Sequence, residues 1–322
     1  STRGVNCPRR RMSEDYPGNI LPQTTGKSFM VSRNKEQFHG GRNAQRVMPL
    51  SLRAIRLAFS TLGPVFPRLM GRRAFDLWFR TRRFPESAAG KRFAREAQRE
   101  TLMVEDLPVA VYTLGEGPIV LFVHGWSGRG SQVAAFSGPL VAAGYRVMAV
   151  DAPGHGDTPG DRTNILECTA VLQAFAHKYG NVHAAITHSF GGMVLAYAMH
   201  NGMHIDRVVC ISAPAHVDYL LDSFAQTLAI PDTVIEDVHR RMDERFDQGF
   251  WQTISTVVNV RELDVPALVI HDGDDHNVPW QQGKIIANAW PGARFMKTTG
   301  LGHGRILRDA GVVTAAVDFI GA

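Results

Sequence analysis

From Thr101 onward, short apolar runs alternate with longer stretches in which apolar residues recur at helical spacing. The segments Thr101–Val104 and Val109–Thr113 predict a β-hairpin. Runs at Ile119–Val123, Arg146–Val150, Val182–Thr187, Arg207–Ile211, Ala267–His271 and Ala293–Lys297 predict strands. Between and after them, Val133–Ala143, Ile165–Tyr179, Met193–His200 and Ile306–Ile320 predict helices. Repeated strand–helix units imply an α/β fold: a mainly parallel sheet with helices on both faces. Reactive groups then belong at the carboxyl ends of the strands. Residues 216–262 break the rhythm with three short helical patterns, Val217–Leu228, Val234–Asp247 and Phe250–Val258. They are read as a small helical lid inserted into a catalytic domain spanning 101–322.

The first hundred residues differ in character. Residues 1–48 are rich in Arg, Asn, Gln, Gly and Ser, show no periodicity, and read as a disordered basic leader. Residues 49–100 read as a basic helical extension. Leu52, Ile55, Ala58, Phe59 and Leu62 recur at helical spacing, and Phe75, Leu77, Trp78 and Phe79 form an aromatic cluster among arginines. One or two helices packed on the body, with arginines facing water, account for this stretch. The alternative is an amphipathic surface, within residues 50–83, that makes weak contact with acidic lipid.

Charge sharpens this division. The net charge of +5 combines 21 Lys+Arg and 7 Asp+Glu in residues 1–100 with 14 and 23 in residues 101–322. The basic balance therefore lies outside the predicted catalytic body. No basic element interleaved with aromatics suggests nucleic-acid binding. No run reaches the ~18 apolar residues of a membrane span, and the first 30 residues lack the apolar core of a signal peptide. Cys7, Cys168 and Cys210 are too widely spaced for a disulfide framework or a zinc site. A cytoplasmic location is expected, and the oligomeric state is left open.

Four segments carry candidate chemistry, each just after a predicted strand. Thr187-His188-Ser189-Phe190-Gly191-Gly192 joins strand to helix, the context of a nucleophile elbow. Gly191 supplies the small residue needed where strand and helix approach, and Thr187 stands where glycine is usual. Taken alone, Ser189 could equally be a helix N-cap. His124-Gly125-Trp126 ends an earlier strand. Asp151 to Thr158, with its two glycines, reads as a turn bordering the site, and His155 in it is assigned no chemical step. His271-Asp272-Gly273-Asp274-Asp275 offers three carboxylates, any of which could be a solvated turn residue. Gly302-His303-Gly304 places a histidine on a glycine-flanked loop. A serine, an acid and a histidine in that chain order match the order expected of one fold. No metal and no cofactor is called for.

These residues make the chain resemble the α/β-hydrolase superfamily over about residues 101–322. The similarity is greatest to bacterial members with His-Gly-Trp, His-Ser-Phe-Gly-Gly and Gly-His-Arg-Ile-Leu segments, here ending His303-Gly304-Arg305-Ile306-Leu307. The resemblance implies a catalytic triad of Ser189, Asp275 and His303. Asp275 is selected because the family places its acid three residues before Val-Pro, here Val278-Pro279. It implies an oxyanion hole from the backbone N–H groups of Trp126 and Phe190. His124, Gly125, Leu220, Leu221 and Trp251 are candidate pocket residues. The implied activity is hydrolysis of a small-molecule carboxylic ester by acyl transfer. A thioesterase, a membrane-peripheral lipase and a non-catalytic ligand-binding protein are the alternatives.

Overall fold

The computed structural model describes Met48–Phe246 and Gln248–Ala322. The leader reading of residues 1–48 thus falls, except for Met48, outside the described residues, as does the expected helix end at Asp247. Met48–Ala322 forms one compact unit.

Three helices open it: α1 (Leu50–Leu62), α2 (Pro67–Trp78) and α3 (Ala88–Glu96). Pro67 starts α2 at the position where its missing N–H leaves nothing unsatisfied. Ser87 caps α3 by accepting the Gly90 N–H. Strands β1 (Gln98–Val104) and β2 (Leu107–Leu114) then pair as the expected hairpin, beginning three residues early. Next come β3 (Ile119–Val123), α4 (Ala134–Ala142), β4 (Arg146–Val150), α5 (Ile165–Tyr179), β5 (Val182–His188), α6 (Phe190–His200) and β6 (Ile205–Ile211). Helices α7 (Val217–Leu228), α8 (Asp232–Phe246), α9 (Phe250–Thr253) and α10 (Thr256–Asn259) separate β6 from β7 (Ala267–Asp272). The chain closes with α11 (Trp280–Ala289), β8 (Arg294–Thr298), α12 (Gly302–Arg305) and α13 (Ala310–Gly321).

Helix α11 is not anticipated by the sequence reading, because its apolar positions are few and flanked by polar ones. The expected helix Ile306–Ile320 is broken at Asp309, whose carboxylate accepts the Val312 N–H and starts α13 afresh. The expected helix Phe250–Val258 is likewise interrupted at Ile254-Ser255.

The eight strands form one sheet in the order β1-β2-β4-β3-β5-β6-β7-β8. Pairs β1·β2 and β2·β4 are antiparallel and the rest are parallel. Both faces are covered, so the central strand β3 is apolar throughout. In β3, Ile119, Leu121 and Val123 enter the core on one face, and Val120 and Phe122 the core on the other. From β3 the chain moves to β4 on one side, then crosses to β5 on the other. Open α/β sheets bind ligands at such a reversal; here it falls at the carboxyl ends of β3 and β5, where the register pairs Val123 with Thr187. The segments that follow those residues, His124-Gly125-Trp126 and His188-Ser189, are thereby brought together. Among the described residues, no helix is long and apolar enough to cross a membrane.

Candidate active site

The turn from β5 into α6 is tight enough to force Ser189 to φ 54° and ψ −125°. A non-glycine residue there is strained, by about 1–3 kcal/mol, and persists only where its surroundings hold it. Two backbone bonds do so: the Ser189 N–H donates to the Ile211 carbonyl at 2.9 Å, and the Ser189 carbonyl accepts from Gly192 at 2.9 Å. The glycines are needed for space. A Cβ on Gly191 would lie 2.3 Å from the Val123 carbonyl oxygen, and one on Gly125 would lie 2.8 Å from the Ser189 Cβ.

The loop after β3 is fixed by two buried histidines. His124 lies with Nδ1 2.8 Å from the Gly125 carbonyl, while its Nε2 accepts the Ala152 N–H at 3.0 Å. His155 donates from Nδ1 to the Pro153 carbonyl at 2.9 Å and accepts the Ser127 N–H on Nε2 at 2.8 Å. Burial pushes both imidazoles down to about 4. Each is therefore neutral at neutral pH, with one ring nitrogen donating and the other accepting. Ser127, held by His155, has φ 58°. Trp126, just before it, meets Phe190 edge-on at 5.2 Å and His155 at 5.7 Å. The two residues expected to supply oxyanion donors thus face each other. Phe190 is the first residue of α6, where N–H groups have no intrahelical acceptor and the helix dipole favours negative charge.

The acid side is built on the turns after β7 and β8. Asp275 is buried. Its Oδ1 accepts the N–H groups of Asn277 and Val278, both at 2.9 Å, and its Oδ2 accepts His303 Nδ1–H at 2.7 Å. Burial alone would raise its pKa. The nearby His271 ring and hydrogen bonds from His303 and the Val278 N–H outweigh burial and hold the carboxyl well below the usual range. With Nδ1–H directed at Asp275, His303 keeps a lone pair on Nε2. The Ser189 hydroxyl makes no hydrogen bond among the described residues. Catalytic hydrogen bonds are often long or poorly aligned without substrate and tighten when it binds.

Several residues outside the expected triad hold this arrangement. His188, buried beside Ser189, lies with Nε2 2.9 Å from the His303 carbonyl oxygen, and the two rings are 4.7 Å apart. Burial pushes His188 down to about 3, so it is neutral and its Nε2–H donates. Asp272 accepts the Asp274 N–H at 3.0 Å, the Gly302 N–H at 2.8 Å and the Thr298 hydroxyl at 2.7 Å. Asp274 is exposed, and its Oδ2 accepts the Gly300 N–H at 2.7 Å. His271 donates from Nε2 to the Val278 carbonyl at 2.8 Å and lies 3.5 Å from Asp275 Oδ2. Sequence carried one signal for these contacts: a carboxylate and two histidines on predicted buried strand ends, where an unpaired polar group is costly.

Of the candidate pocket residues, Leu220 is partly buried and Leu221 and Trp251 are buried. Trp251 packs against Trp78 at 5.7 Å and donates its indole N–H to Asp218 at 2.7 Å. It thus joins the α2 aromatics to the insertion. Among the described residues, no group of three or more His, Cys, Asp or Glu is arranged to hold a metal ion.

Known proteins share this plan. A non-heme chloroperoxidase from Kitasatospora aureofaciens is 26% identical over 247 residues, 59% of this chain and 86% of that protein. A pimeloyl-[acyl-carrier protein] methyl ester esterase from Chromobacterium violaceum is 30% identical over 139 residues, 43% of this chain and 52% of the esterase. The fold of an esterase from Exiguobacterium antarcticum superposes with a TM-score of 0.54 at 17% identity, covering 69% of this chain and 98% of that one. The alpha/beta hydrolase family matches residues 120–316, more than half of the chain. This protein belongs to the alpha/beta hydrolase family.

Proposed function

We propose that this protein is a serine hydrolase that cleaves carboxylic esters of small molecules through a covalent acyl-enzyme. The observation that carries the reading is a strained Ser189 on a turn tied, through the adjoining His188, to the loop of a histidine whose Nδ1–H is held on a buried carboxylate. In the proposed reaction, His303 Nε2 takes the Ser189 proton as Oγ attacks the ester carbonyl. The oxygen of the tetrahedral intermediate becomes anionic and is met by the Trp126 and Phe190 N–H groups. The intermediate collapses, the ester C–O bond breaks, and His303 protonates the departing alcohol. Water then attacks the acyl-enzyme with His303 again as base, releasing the acid and restoring Ser189. Asp275 stays ionised, fixes the tautomer of His303 and stabilises its imidazolium.

Helices α7–α10 act in this reading as a lid over the acyl site. Support comes from the Tyr219 hydroxyl on α7, which donates to the Asn277 carbonyl at 2.7 Å, two residues from Asp275. A fluorophosphonate probe tests the nucleophile. Wild type should be labelled and Ser189→Ala should not, and equal labelling of both would remove Ser189 from its role. A series of p-nitrophenyl esters of graded chain length, with Ser189→Ala as control, then defines the acyl group. Turnover of thioesters but not of oxygen esters would replace the ester reading by a thioesterase.

A further inference from the structure

The hairpin of α1 and α2 presents an apolar tip that the hydrolase reading does not use. Leu57, Leu62, Val65, Phe66 and Leu69 are 44–65% exposed. Leu50, at 80% exposure, lies seven residues before Leu57 and so on the same side of α1. An isolated exposed leucine needs no explanation, but a run of large apolar residues along one turn and its flanking helices does. Arg53, Arg68, Arg72 and Arg73 on the same two helices are exposed, and no acidic residue occurs between Met48 and Phe75.

The tip is held in shape. Pro64 and Pro67 bracket Val65-Phe66, and the Phe66 N–H donates to the Leu62 carbonyl at 2.8 Å. Gly63 sits against Pro231, where a Cβ would come within 2.8 Å of the proline ring. Arg56 donates to the carbonyls of Gln226 at 2.8 Å and Thr227 at 2.6 Å, at the end of α7. Gly71 of α2 lies against Asp237 of α8, and Trp78 meets Phe224 of α7 edge-on at 5.2 Å. The exposed side chains therefore project from a rigid base built on the inserted helices.

We propose that this α1–α2 face docks on an anionic bilayer surface, with Val65 and Phe66 entering the headgroup boundary and the arginines meeting lipid phosphates. Apolar side chains flanked by arginines are the pattern of an interfacial element. Charge selects lipid over the other possible occupants. Residues 1–47 carry nine Lys+Arg against three Asp+Glu, so they share the sign of this face. A second copy in a two-fold pair would set the same arginines against one another. Nucleic acid would match the arginines and leave the apolar tip in water. The proposal does not depend on the identity of the nucleophile.

Vesicle co-sedimentation of the full chain tests it. Wild type should bind phosphatidylcholine vesicles containing phosphatidylglycerol, should not bind pure phosphatidylcholine, and should lose binding as salt rises. Arg68→Glu with Arg72→Glu should weaken binding at least about tenfold. Val65→Asp with Phe66→Asp should abolish it, both variants keeping the wild-type melting temperature. Three results would overturn the proposal. One is no binding of wild type to the anionic vesicles. Another is undiminished binding of both variants, which would assign it to residues 1–47. The third is a wild-type dimer in light scattering that binds no vesicles and that Val65→Asp with Phe66→Asp converts to a monomer.

Discussion

His188 and His303 are joined by a hydrogen bond from the ring of one to the backbone carbonyl of the other, at 2.9 Å, with their rings 4.7 Å apart. His188 adjoins Ser189 in the chain, so this contact ties the turn that carries the candidate nucleophile to the loop that carries the candidate base. Neither residue reaches the other through the sheet. It adds to the bonds that Asp272, Asp274 and Asp275 make with residues 300–303.

His188→Ala should therefore lower kcat for a reactive ester by about ten- to a hundredfold with little change in KM, because a misplaced base acts only in the chemical step. His188→Gln, which keeps a donor, should recover most of the loss. Steady-state kinetics of both variants checks this. A matching loss in both, or a change confined to KM, would show that the contact does not position His303.

The three aspartates after β7 should separate by effect. Asp275→Asn should lower kcat by roughly two to four orders of magnitude with the fold intact, since the tautomer of His303 is then no longer specified. Asp272→Asn should destabilise by about 1–3 kcal/mol, as a buried carboxylate with three donors loses part of its network. Its activity should fall as well, because Gly302 immediately precedes His303. Asp274→Asn, exposed and bonded to one N–H, should change stability by less than about 1 kcal/mol. Thermal melts beside kinetics of the three variants give the ranking, and an active Asp275→Asn would redraw the triad.

Stability should fall on mild acidification. His124, His155 and His188 are neutral in the fold, with pKa values pushed down to about 4, 4 and 3, while the unfolded chain holds them near 6.5. As pH drops below 6.5 the unfolded state takes up protons that the folded state refuses. The stabilisation present above pH 6.5 is then lost progressively toward pH 4, by up to about 1.4 kcal/mol per pH unit for each histidine. Asp275, held below the usual carboxylate range, adds a further loss only below about pH 4. Chemical denaturation across pH 4–7 measures the slope, and His155→Gln should reduce it by about one proton. A flat profile would mean that these rings accept protons in the fold.

Gly125→Ala and Gly191→Ala test how closely the elbow is packed. The added methyl group would meet the Ser189 Cβ at 2.8 Å in one case and the Val123 carbonyl oxygen at 2.3 Å in the other. Each should destabilise by about 1–3 kcal/mol, and each should slow labelling by a fluorophosphonate. Gly191→Ala should be the worse, since its methyl group overlaps more deeply and meets two backbone carbonyl oxygens. Unchanged melting temperatures would show that α6 can shift on β3.

Much of this architecture is legible along the chain. The apolar runs Ile119–Val123 and Arg146–Val150 and the helical period of Ile165–Tyr179 coincide with β3, β4 and α5 in full. Burial on both faces leaves such strands no room for polar residues, and a long helix repeats its apolar face often enough to be read. Ser189, the three aspartates and His303 stand out because each follows an apolar run. Choosing Asp275 among the three required a resemblance to known hydrolases, since local pattern does not distinguish carboxylates in one turn. The polar contacts behind them are another matter. His188 to His303 spans 115 residues, Asp272 to Gly302 spans 30, and His155 to Ser127 spans 28. No local periodicity encodes such pairs, because they arise from the strand order and from the need to satisfy every buried donor and acceptor. Element type follows from short-range sequence, where each residue's neighbours set its backbone and its exposed face. Which histidine is a tie and which is free on Nε2 follows only from the sheet that brings the ends of β3, β5, β7 and β8 to one edge.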